Sequence, residues 1–81
     1  MNVTVRYFAA AAEAAGCEEE QLVVEGDETL ASLKTLLAER YGNQMRKVVN
    51  VGSFLIDQVV RRDPACALSD RVDVLPPFAG G

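Results

Sequence analysis

One segment constrains the fold more than any other. Over Leu30–Tyr41, Leu30, Leu33, Leu37 and Tyr41 recur at spacings of three and four, and Leu36 is expected to widen the stripe. Lys34, Thr35, Glu39 and Arg40 cover the opposite side. Thr29 is placed to cap the helix through its hydroxyl, and Gly42 to stop it. A helix with a single apolar stripe must bury it against another layer. The chain has 81 residues, the length of one domain, so that layer has to come from the remaining short segments.

Those segments read mostly as strands. Asn2–Phe8 alternates, with Val3, Val5 and Tyr7 to one side and Thr4, Arg6 and Phe8 to the other. Ala9–Ala15 is rich in helix formers and is closed by Gly16, which predicts a short helical turn. Gln21–Glu25 predicts a second strand with Leu22 and Val24 on one face, ended by Gly26-Asp27. Met45, Val48 and Val49 have helical spacing behind a candidate Asn43 cap, although Val48–Val51 fits the start of a strand equally well. Phe54–Ile56 and Val59–Arg61 flank Asp57-Gln58 as a hairpin. Asp63-Pro64 breaks the chain, Leu68 is a candidate core plug, Ser69-Asp70 turns, and Arg71–Leu75 is the last strand with Val72 and Val74 inward. This order predicts an α+β fold, the β-grasp arrangement of ubiquitin: a mixed sheet of about five strands on one main helix. Other small α+β sheets share the pattern. Residues 1–75 form the domain and 76–81 an extended tail.

Composition narrows the chemistry. The chain has no His, so it can build neither a His-activated nucleophile nor an imidazole metal site, and no metal ligands are assigned. Twelve acidic against eight basic residues give a net charge of -4, which argues against nucleic acid as a partner. Glu18-Glu19-Glu20 reads as a solvated turn, with an acidic docking patch as the lesser reading. Cys17 and Cys66 form no C-x-x-C pair and are expected to be inert free thiols. With no signal-peptide pattern and no run of about 18 apolar residues, the expected location is cytoplasmic, with no membrane partner.

The tail is the part that needs an account. Pro76-Pro77-Phe78-Ala79-Gly80-Gly81 holds two of the three prolines and two of the six glycines, and Val74–Gly81 has no ionisable side chain. The prolines favour an extended course, Phe78 offers an apolar anchor, and Gly80 and Gly81 lack the Cβ that would block a narrow channel. Such an arm suits delivery of the Gly81 carboxylate to another protein. Activation as an anhydride with AMP, followed by attack of sulfur, would make Gly81 a thiocarboxylate, a soft nucleophile at neutral pH.

The chain resembles the MoaD family, the small subunit of molybdopterin synthase, within the MoaD/ThiS sulfur carriers. The resemblance runs over nearly the whole length. It is carried by Val3–Ala10, by Thr29-Leu30 with Leu33, Leu36, Leu37 and Tyr41, and by Val72–Gly81 with its double proline before diglycine. It implies that Gly81 is adenylated by a MoeB-like enzyme, with ATP used by that partner and no cofactor held permanently. A sulfur donor protein then converts Gly81 to a thiocarboxylate. The tail, Pro76 to Gly80, enters a MoaE-like large subunit, which supplies the catalytic side chains, and sulfur passes to precursor Z to form the dithiolene of molybdopterin. The family's synthase is a heterotetramer. The alternatives are carriage for thiazole, cysteine or tRNA thiolation, or protein modification like that of ubiquitin.

Two stretches depart from the family pattern. Ser69-Asp70-Arg71 replaces a longer glycine-containing turn before the last strand, and Asn43–Gly52 matches poorly. For partner contact, alternation places Phe8 and Leu75 on the sheet face away from the helix. With Phe78 they form a candidate interface, unless neighbouring loops cover Phe8 and Leu75.

Overall fold

The structure, a computed structural model, describes residues 1–77. The first strand, β1 (Asn2–Tyr7), shows the alternation directly: Val3, Val5 and Tyr7 are buried and the residues between them are not. It pairs antiparallel with β2 (Glu19–Val23) and parallel with β5 (Arg71–Leu75). β5 pairs antiparallel with β3 (Ser53–Ile56), which forms a hairpin with β4 (Val59–Arg61). The sheet order is β2-β1-β5-β3-β4, so β5, last in sequence, is central in space. Asp57 and Gln58 both have positive φ, 52° and 67°, the geometry of a two-residue hairpin turn.

Three helices cover one face: α1 (Ala10–Ala15), α2 (Leu30–Tyr41) and α3 (Asn43–Val51). The start of α2 follows from a reciprocal cap. Ser32 N–H donates to Thr29 Oγ1, while Thr29 N–H donates to Ser32 Oγ at 2.8 Å. Two further N–H groups of its first turn, those of Leu30 and Ala31, donate to the carbonyls of Cys66 and Pro64. Leu30, Leu33 and Leu37 are fully buried, each worth roughly 1.5–3 kcal/mol. Leu68 joins the same core, as its candidate role required.

The structure corrects several expectations. β1 ends at Tyr7, because Ala9 adopts φ 52° and turns the chain into α1. β2 runs two residues earlier than Gln21–Glu25 and takes in Glu19 and Glu20, so the Glu run is a solvated turn only at Glu18; Glu19 is exposed on the strand and Glu20 is half-buried. The reason is Glu20, whose carboxylate is drawn between two tyrosines. Leu36 does not widen the stripe; it is 37% exposed, and Ala38 is buried in its place. Asn43 is the first helical residue of α3 and makes no cap bond; Gly42 precedes it at φ 91°. Val48–Val51 is helix throughout, with Met45, Val48 and Val49 inward. The shortened turn before β5 is closed locally by Ser69, whose Oγ–H donates to Arg71 O at 3.3 Å.

Candidate functional site

The exit of β5 is built tightly on both sides. On the β1 side, Phe8 N–H donates to Val74 O at 3.1 Å. On the β3 side, Ser53 pairs with Leu75. Beneath that pair lies Gly52, whose N–H donates to Val48 O at 2.7 Å. A Cβ at Gly52 would stand 2.2 Å from Leu75 O and 2.7 Å from Val48 O. Only a residue without a side chain lets α3 end so close to the carbonyl from which the arm departs. Across β5, Ala9 holds φ 52° and ψ -121°, a conformation that favours glycine and strains alanine.

Beyond Leu75 the prolines lack N–H groups, and Pro76 is half-buried while Pro77 is exposed. Phe78, Ala79, Gly80 and Gly81, the proposed anchor and reactive end, lie outside the described residues. Phe8 and Leu75 are both half-buried on the sheet face opposite the helices, as alternation required. Register adds two residues that sequence reasoning missed. Leu55 sits opposite both Asp73 and Val60, and Val60 is 51% exposed. The apolar patch therefore runs from Phe8, just past the end of β1, across β5 and β3 to β4.

In the middle of this face lies Asp73, only 7% exposed, with Oδ1 lacking any hydrogen-bond partner. Arg6 on the neighbouring strand reaches it at 4.0 Å, and the same guanidinium lies 5.2 Å from the Phe8 ring centroid. The helix-side counterpart is fully bonded. Glu20 Oε2 accepts from Tyr7 OH at 2.5 Å and from Tyr41 OH, and Oε1 pairs with Arg40 at 3.4 Å. Burial, then the bond to Glu20, pushes the Tyr7 hydroxyl far above the usual tyrosine range; Tyr41 moves the same way for the same causes.

Among the described residues no group of three or more His, Cys, Asp or Glu is placed to hold a metal ion. Cys17 and Cys66 form no disulfide and are half-buried. No helix among the described residues is long and apolar enough to cross a membrane.

A mixed five-stranded sheet wrapped on α2, with the last strand in its centre, defines the ubiquitin-like β-grasp class. The chain belongs to the ThiS family, which it matches over residues 5–81, and so to the small ubiquitin-like proteins of the ThiS/MoaD sulfur-carrier type. No curated protein matches it. Several solved structures share its fold, among them the following three. A provisionally named molybdopterin converting factor, subunit 1, from Pyrococcus furiosus is 21% identical with a TM-score of 0.80, over 96% of this chain and 99% of that one. SAMP1, a small archaeal modifier protein of Haloferax volcanii, is 18% identical at 0.77 and covers both chains fully. The complex of subunits 1 and 2 of the molybdopterin-converting factor from Helicobacter pylori matches at 23% and 0.70, again over both whole lengths.

Proposed function

We propose that this chain is the small, sulfur-carrying subunit of a molybdopterin synthase. The observation that carries the reading is the exit of β5. The central strand ends in a rigid collar beside an apolar sheet face and hands the chain to Pro76-Pro77, ahead of Phe78-Ala79-Gly80-Gly81. The Pyrococcus and Helicobacter likenesses fit this role, and the second of them is itself a complex with another subunit.

In this reading the Gly81 carboxylate attacks the α-phosphorus of ATP on a MoeB-like enzyme, and pyrophosphate leaves. The outer sulfur of a persulfide on a donor protein displaces AMP at the carbonyl carbon; a second donor thiol then attacks the donor-side sulfur of the resulting acyl disulfide, which releases the thiocarboxylate and leaves a disulfide on the donor. Glycine suits each step because no side chain shields that carbon. The tail from Pro76 to Gly80 threads into a MoaE-like subunit, whose side chains act on precursor Z. Phe8, Leu75 and Phe78, with Leu55 and Val60 beside them, form the contact surface. ATP belongs to the activating enzyme, so the carrier needs no cofactor of its own. Activity of this kind belongs in the cytoplasm.

Intact-mass measurement of the protein from its native cells is the test. An increase equal to the oxygen–sulfur difference, absent after deletion of Gly81, supports sulfur carriage. The same deletion should abolish complementation of a strain lacking the synthase small subunit while leaving the melting temperature unchanged. The likeness to SAMP1 favours a second reading, protein modification through Gly81. Conjugates to lysines of other proteins, without complementation, would select it.

A further inference from the structure

The strands at the two sheet edges carry opposite charge. From Glu13 to Glu28 there are seven carboxylates and no Lys or Arg, and edge strand β2 lies within that stretch. At the far edge, β4 runs Val59-Val60-Arg61 and is followed by Arg62, all exposed, with the exposed carboxylates Asp57 before the strand and Asp63 after it. Both edges also carry apolar surface: Val23 is 82% exposed, Val59 49% and Val60 51%. Val23 lines a groove of about 330 Å³ between the end of β2 and α2, together with Leu36 and the carboxylates Glu25, Glu28 and Glu39.

Backbone groups are free at the β2 edge. Tyr7 N–H donates to Glu18 O and Val24 N–H to Met1 O, so by alternation Glu19, Gln21 and Val23 turn their N–H and C=O groups away from β1. Unpaired edges invite pairing, and the charges decide with what. Two β2 edges brought together would set Glu19 and Glu25 against their own copies. Two β4 edges would do the same with Arg61 and Arg62. Only β2 against β4 joins opposite signs.

We propose that the β4 edge of one copy docks on the β2–α2 groove of a second copy. Val59 and Val60 cover Val23 and Leu36, while Arg61 and Arg62 meet Glu25 and Glu39. The two patches lie at opposite sheet edges, so the contact is heterologous and adds copies head to tail without closing on a pair. The net charge of -4 does not prevent it. Charges across a body measuring 17 to 35 Å are screened at a Debye length of about 10 Å, whereas pairs in contact are not. β5 is central, so its exit stays clear of the contact, which shares only Val60 with the surface proposed to meet the large subunit.

Sedimentation equilibrium of the full chain tests this. In about 0.05 M salt the average mass should rise above the 8.7 kDa monomer as concentration approaches about 1 mM, and fall back in about 0.5 M salt. Glu25→Lys with Glu39→Lys, and separately Arg61→Glu with Arg62→Glu, should each be monomeric with an unchanged circular dichroism spectrum. Mixed in equal amounts, the two variants should associate again, because each keeps one wild-type patch. A wild-type chain that stays monomeric throughout overturns the proposal. So does association that survives in either double variant, or a mixture that stays monomeric.

Discussion

Two carboxylates point to opposite faces of the same sheet and are treated in opposite ways. Glu20, on the helix side, accepts from two tyrosine hydroxyls and pairs with Arg40. Asp73, on the open side, is as buried as a core residue and has one oxygen with no donor at all. A buried acceptor without a partner costs about 1–3 kcal/mol. The difference teaches where the molecule's polar groups are complete. The face that holds the domain together satisfies its charge, whereas the face proposed to meet a partner leaves one unsatisfied.

The largest expected effect strikes the satisfied side. Glu20→Ala strands the Tyr7 and Tyr41 hydroxyls and should lower stability by about 2–4 kcal/mol in urea denaturation. A loss below about 1 kcal/mol would break the comparison by making Glu20 a surface ornament. Alkaline pH probes the same cluster more gently. Tyr7 and Tyr41 are the only two tyrosines, and their hydroxyls titrate higher folded than unfolded. The folded state therefore keeps protons that the unfolded chain releases. The associated stability is intact below about pH 10 and falls above it, by up to about 1.4 kcal/mol per pH unit for the buried Tyr7. Tyr7→Phe should flatten that decline.

The unsatisfied side should respond less in stability and more in binding. Asp73→Asn removes a desolvated charge whose nearest cation stands 4.0 Å away, and the domain should change by no more than about 1 kcal/mol, in the stabilising direction. Affinity for the proposed large subunit, followed by calorimetry, should fall in the same variant. A destabilisation beyond about 2 kcal/mol would show that the Arg6 pair holds the sheet and would erase the contrast. Smallest of all is Phe78→Ala, expected to shift stability by less than about 0.5 kcal/mol while weakening partner binding. A large drop in melting temperature with unchanged affinity would reverse its assignment.

What could be read in advance follows from range. β1, α2 and β5 were legible because a period of two or of 3.6 is written within ten or so residues, and Thr29 capped α2 because its partner is three residues on. Glu20 was hidden: within a run of three glutamates it looks solvated, and its partners Tyr7 and Tyr41 lie 13 and 21 residues away. α3 resisted because Val48, Val49 and Val51 favour strands in isolation, and packing against α2 overrides that preference. The apolar face was half legible. Alternation supplied Phe8 and Leu75, but Leu55 and Val60 enter only once the β3–β5 and β3–β4 registers are known.

Gly52 has a geometric consequence for anything the arm serves. Its backbone lies hard against the Leu75 carbonyl, so the arm departs from a fixed origin and not from a sliding one. Six residues, 76 to 81, carry the sequence from that origin to Gly81, and an extended chain covers at most about 3.3–3.6 Å per residue. Leu75 thus anchors a ruler of roughly 20 Å. An enzyme acting on Gly81, as proposed, must bring its reacting centre within that radius of the collar, and lengthening the tail would retune the distance without touching the domain.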